Sequence, residues 1–88
     1  MEKTSLKKVK GGKLVKVSVR STDGIIEKVT ISGDFFAYPE EGIEQIEKEL
    51  RGANISMVRS IIDSAAGGVV FVGVNRGDLV EMVEECLE

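Results

Sequence analysis

The sequence predicts a small α+β domain of two layers, in the order β-β-α-α-β-α, with a three-stranded sheet and its helices on one face. Three observations predict it. Two runs of alternating apolar and polar residues, from Lys13 and from Ile25, are separated by Asp23-Gly24. Two later segments, Glu40–Arg51 and Leu79–Leu87, repeat their apolar residues at helical spacing. Between them, Val69-Val70-Phe71-Val72-Gly73-Val74 is a continuous β-branched run.

In chain order, residues 1–12 are rich in lysine, lack periodicity and end in Gly11-Gly12, so they read as a basic tail or linker. The domain proper is residues 13–88. From Lys13, the residues Val15, Val17 and Val19 alternate with Lys16, Ser18 and Arg20, the pattern of a half-buried strand. Ser21-Thr22-Asp23-Gly24 is a tight turn, because Asp-Gly supplies the positive φ that two-residue hairpins require. The second strand spans Ile25 to Ile31, with Ile25, Val29 and Ile31 on one face and Glu27 out of pattern among them.

Gly33 then breaks the strand, and Pro39 suits the first turn of a helix. That helix, Glu40–Arg51, carries Ile43, Ile46 and Leu50 as its apolar stripe. Glu44 with Lys48 and Glu47 with Arg51 have the spacing of i,i+4 ion pairs. Asn54 or Ser56 can cap a second helix over Met57–Ala66, which Gly67-Gly68 ends. The run 69–74 is predicted as a buried third strand. Asp78 is the expected cap of the last helix, whose core face is Leu79, Val80, Val83 and Leu87.

A single domain of 88 residues buries only about 60–65% of its unfolded surface, so a partner is a reasonable further source of stability. No apolar run approaches the length of a membrane span, and Met1-Glu2-Lys3 does not open a signal peptide. One cysteine, Cys86, allows no internal disulfide, which places the chain in a reducing cytoplasm. Residues 1–20 hold seven basic residues against Glu2, whereas residues 21–88 hold five basic and fourteen acidic ones. Such an arm fits an acidic surface. It lacks aromatic residues for base stacking and has one arginine, which argues against nucleic acid.

The chemistry available to this chain is narrow. With no histidine, Ser-His and Cys-His pairs and histidine metal sites are absent. One cysteine cannot build a zinc or iron–sulfur site. Gly67-Gly68 and Gly73-x-x-x-Gly77 lack the residues of a phosphate loop. Cys86 lies among acidic neighbours that disfavour its thiolate, so it reads as packing. The remaining feature is Gly33-Asp34-Phe35-Phe36, which holds two of the three phenylalanines. Asp34 can satisfy turn donors while the phenylalanines cap the core, or the segment can be an interaction surface. Both hold if one phenylalanine points inward and its neighbour outward, as in extended chain.

The segments Gly12-Lys13-Leu14-Val15-Lys16-Val17, Asp23-Gly24-Ile25-Ile26, Val29-Thr30-Ile31-Ser32-Gly33-Asp34-Phe35-Phe36 and Ile43-x-x-Ile46-Glu47-x-x-Leu50-x-Gly52 resemble the C-terminal accessory domain of lipoate–protein ligases. The catalytic domain's own signatures are missing, including its Arg-Arg-x-x-Gly-Gly-Gly segment. The resemblance therefore implies the separate small subunit of a split ligase. It implies a heterodimer with a catalytic large subunit that binds lipoate, ATP and Mg. That partner would form lipoyl-adenylate with this chain's help, then pass the lipoyl group to a lysine of lipoyl-domain proteins. On this reading the chain has no catalytic residue or cofactor of its own. Gly33, Asp34, Phe35 and Phe36 mark the docking surface, and Lys7, Lys8, Lys10, Lys13 and Lys16 provide an electrostatic one. The hairpin followed by glycine also resembles iron–sulfur scaffold proteins, whose fold is expected here without their cysteines. The other reading is a protein-binding adaptor of the same fold, unrelated to lipoate.

Overall fold

Alternating valines in residues 15–19, a turn at Asp23-Gly24 and the isoleucines that follow make a hairpin, and the rest of the chain is built on it. A computed structural model describes residues 1–9, 11 and 13–88. The strands of the hairpin are β2 (Leu14–Thr22) and β3 (Ile25–Gly33), and a further strand, β1 (Glu2–Lys8), precedes them. After the hairpin come β4 (Phe36–Tyr38), α1 (Glu41–Glu49), α2 (Val58–Ala65), β5 (Val70–Val72) and α3 (Arg76–Leu87). A short 3-10 turn, Ile55–Met57, leads into α2, and the Asn54 side chain caps it by accepting from the Ser56 N–H at 3.1 Å.

β1, β2 and β3 form an antiparallel sheet in that order, and β4 pairs with β5 in a separate two-stranded ribbon. The hairpin turn has positive φ at both central residues, 51° at Asp23 and 77° at Gly24. That is the twist which keeps the flanking strands paired. Val15, Val17, Val19, Val29 and Ile31 are buried under the helical layer. They meet Ile46 of α1 and Leu50 at its C-terminal cap, Val58 and Ile62 of α2, and Leu79, Val80, Met82 and Val83 of α3 in one core. The result is the predicted α+β, two-layer arrangement with a three-stranded antiparallel sheet.

Several expectations are corrected by the structure. Glu2–Lys8 is a strand, not a tail, paired with β2 from Glu2 opposite Arg20 to Lys8 opposite Leu14. Its inward residues are Lys3, Ser5 and Lys7, and polar groups of α3 receive them. Lys3 reaches the Glu88 carbonyl, Ser5 Oγ lies 3.3 Å from Glu85, and Lys7 pairs with Asp78 and Glu81. A strand whose inner face is polar shows no apolar alternation. Lys10 and Gly12 lie outside the described residues.

The second strand also faces differently from its expected alternation. Ile26, not Ile25, is buried beside Val29 and Ile31. Pairing runs Arg20 with Lys28 and then Ser21 with Ile26, so Glu27 is the extra residue of a β-bulge. One inserted residue reverses the faces on either side of it, which is why Glu27 broke the pattern.

The third sheet strand is β1, since the run expected to supply it forms β5 and pairs with β4 instead. Residues 70–72 are also more exposed than a buried strand would be. The i,i+4 ion pairs of the first helix are not formed among the described residues. Glu47 instead accepts the Ile31 N–H at 2.7 Å. The cap of α3 is Asn75, with Asp78 three residues on completing a reciprocal capping box.

Candidate functional site

Gly33 determines where the chain leaves the sheet. Its φ is +148°, and a Cβ there would lie 2.2 Å from the Leu14 carbonyl oxygen. Only glycine allows that approach. The exposed Asp34 engages the same carbonyl through its backbone N–H, at 2.9 Å. The chain then continues extended, and successive side chains alternate. Phe35 is half-buried and packs against the core, Ala37 is buried, and Phe36 and Tyr38 point to solvent. This is the division between the two phenylalanines that the extended backbone predicts.

β5 completes the surface. Phe36 stands opposite Val72, Ala37 opposite Phe71, and Tyr38 opposite Val70. The central pair faces the body of the protein. The outer two pairs present Phe36, Tyr38, Val70 and Val72 with 60, 55, 63 and 51% of their surface exposed. Four large apolar side chains thus share one face of a ribbon. Two strands of three residues have little stability of their own, and the inward Phe35 and Phe71 tie this ribbon to the core. Pro39 and Val69, which continue the two strands, line a shallow cleft of about 310 Å³ together with Gly42, Gln45 and Ala65.

Tyr38, Val70 and Val72 were not among the residues singled out from sequence. Their signal is the large-small-large order Phe36-Ala37-Tyr38 and the β-branched run 70–72. Neither pattern reveals that the two segments pair.

The basic residues divide among different places. Lys7 is turned inward, 3.3 Å from Asp78 and 2.8 Å from Glu81. The Glu81 carboxylate, and then Asp78, outweigh the desolvation of the ammonium and raise its pKa. The Lys13 side-chain stem lies near Gly73. Lys8 and Lys16 lie on the outer, solvent side of the three-stranded sheet. There Lys16 lines an open groove with Arg20, Lys28, Ser18, Thr30 and Ser32.

Cys86 is the one thiol of the chain. It is buried, with Sγ 3.7 Å from the Val17 carbonyl. Burial, followed by the Glu85 charge, pushes its thiol pKa up, so it packs rather than reacts. Among the described residues no group of three or more His, Cys, Asp or Glu side chains is placed to hold a metal ion. None of the described helices is long and apolar enough to cross a membrane.

The family described as bacterial lipoate protein ligase C-terminus matches residues 2–83. The chain belongs to this family. Lipoate-protein ligase A subunit 2 of Thermoplasma acidophilum is 37% identical over 69 residues, which is 77% of this chain and 73% of that protein. A solved structure covers all of this chain and 96% of its own, with a TM-score of 0.81 and 31% identity. It comes from work on an archaeal lipoylation system, a bi-partite lipoate protein ligase and its E2 lipoyl domain from Thermoplasma acidophilum. The family match takes in β1 as well as the hairpin, the ribbon, α1, α2 and α3 as far as Val83.

Proposed function

We propose that this chain is the accessory small subunit of a two-chain lipoate–protein ligase. It docks on a catalytic large subunit through Phe36, Tyr38, Val70 and Val72. The single observation that carries the docking is the apolar face of the ribbon, in a chain whose relatives include a subunit of a bi-partite ligase. Lasting subunit interfaces are more apolar than transient ones and resemble a divided core. Gly33 and Asp34 fix the angle at which the ribbon leaves the sheet, and Phe35 anchors it from within.

The chain contributes contacts and not a complete active site. Lipoate, ATP and Mg belong to the large subunit. Docking of the small subunit orders the loops around them and shields the reactive adenylate from water. Taking β1 into the accessory domain is supported by the family match, which begins at residue 2. The reducing cytoplasm is the compartment consistent with one buried free thiol.

The test is lipoate-dependent ATP–pyrophosphate exchange by the purified large subunit with and without this chain. Exchange that depends on the chain is expected. Equal exchange without it sinks the proposal.

A further inference from the structure

The outer face of the three-stranded sheet has a chemistry unlike that of the ribbon, and the two share no residue. The positions pointing outward are Glu2, Thr4, Leu6 and Lys8 of β1, the residues from Leu14 to Thr22 that alternate with the buried valines of β2, and Lys28, Thr30 and Ser32 of β3. Lys8, Lys16, Arg20 and Lys28 therefore stand on one face against two carboxylates, Glu2, which lies 3.6 Å from Arg20, and the exposed bulge residue Glu27 beside Lys28. This occurs on a chain of net charge −3. Arg20 and Lys28 are direct cross-strand partners. Like charges opposite each other weaken a sheet, and Glu2 and Glu27 offset this pair only in part, since four cations face two carboxylates. Ser18, Thr30 and Ser32 line the groove of about 280 Å³ between these cations with hydroxyl groups.

We infer that this face docks an acidic patch on the acceptor protein, the component that must leave after each lipoyl transfer. The inference rests on reading the chain as a ligase small subunit. A charged, hydrated surface accelerates encounter and loses strength quickly with salt, which suits a partner that comes and goes. The apolar ribbon suits one that stays. A nucleic acid fits less well: the face has no aromatic residue for stacking and one arginine. Exposed Leu6, Leu14 and Ile25 at its margins match a protein surface better.

The experiment uses the reconstituted two-subunit enzyme with an E2 lipoyl domain as acceptor. Two variants of this chain are compared with wild type, the triple reversal Lys16→Glu/Arg20→Glu/Lys28→Glu and the milder Lys16→Gln/Lys28→Gln. At low salt the KM for the acceptor should rise about tenfold or more in the first and severalfold in the second. Both gaps should shrink at high salt, with acceptor-free pyrophosphate exchange unchanged. Normal exchange with an unchanged acceptor KM overturns the docking face alone. Tighter binding of a mixed-sequence RNA duplex than of the acceptor overturns it as well. So does a wild-type chain that self-associates through this face and becomes monomeric in the triple variant. Lack of exchange in the wild-type pair, by contrast, overturns the ligase reading beneath it.

Discussion

The carboxylate of Glu47, on α1, accepts the backbone N–H of Ile31 at 2.7 Å and so closes part of the free edge of β3. An unpaired N–H beside a packed helix is costly, and an open strand edge invites pairing with other chains. Glu47→Ala should therefore destabilise the isolated chain by about 1–2 kcal/mol. Glu47→Gln, which keeps a carbonyl acceptor, should lose less, and Glu44→Ala should stay within about 0.5 kcal/mol of wild type. Urea midpoints of the three variants check the order.

Gly33 and Gly24 both have positive φ, but only Gly33 is crowded. Gly33→Ala drives a methyl group into the Leu14 carbonyl and should cost more than about 2 kcal/mol. Gly24→Ala has nothing within 4 Å of its new atom, so it meets only backbone strain, about 1 kcal/mol. Thermal unfolding of the two variants distinguishes a steric clash from a conformational cost.

The ribbon separates stability from assembly. Phe36→Asp with Val72→Lys replaces side chains that are already largely exposed and sets opposite charges across the two strands. It should change the stability of the isolated chain by less than about 1 kcal/mol. Affinity for the large subunit should fall by about a hundredfold, the effect of losing a central apolar anchor. Phe35→Ala should do the reverse in part, costing about 2 kcal/mol of folding stability because Phe35 packs on the core. Light scattering of the mixed subunits, beside denaturation of the small one, gives both readouts.

Lys7 ties β1 to α3, and its pKa is raised in the folded chain, first by Glu81. A raised pKa means that the folded state holds the proton more tightly. Its stabilisation is fully present below the unfolded lysine value of about 10.4. It is lost as pH rises through the higher folded value. The side chain is about one-third exposed, 35%, so screening keeps the pair below about 1 kcal/mol. Lys7→Met should be slightly less stable than wild type at pH 8, and the difference should close by pH 12. High salt should narrow it at pH 8 as well.

The hairpin, its Asp-Gly turn and the three helices were legible because their information is local. Val15, Val17 and Val19 must alternate to fill one face, and Asp23-Gly24 supplies the turn geometry within two residues. The segment from Gly33 to Phe36 was legible in part. Gly33 signalled the break, and extended backbone at Phe35-Phe36 required one side chain in and one out. β1 was not legible, because Lys3, Ser5 and Lys7 are inward residues satisfied by α3, more than seventy residues away. The inversion of Ile25 and Ile26 was not legible either, since a bulge at Glu27 depends on how Ser21 and Arg20 pair.

Local pattern and composition were enough for an α+β domain with no histidine and one thiol, and for a motif whose resemblance led to the ligase family. Period and turn chemistry act over a few residues, so they can be read from neighbours alone. Only the tertiary structure decided that Phe36-Ala37-Tyr38 meets Val70-Phe71-Val72, and that the pairing leaves four large side chains in water. Strand pairing between segments more than thirty residues apart depends on where α1 and α2 carry the chain, and local pattern does not contain that distance. The same closure brought the acidic residues of α3 to β1, turning Lys7 inward and leaving Lys8, Lys16, Arg20 and Lys28 on the outer face.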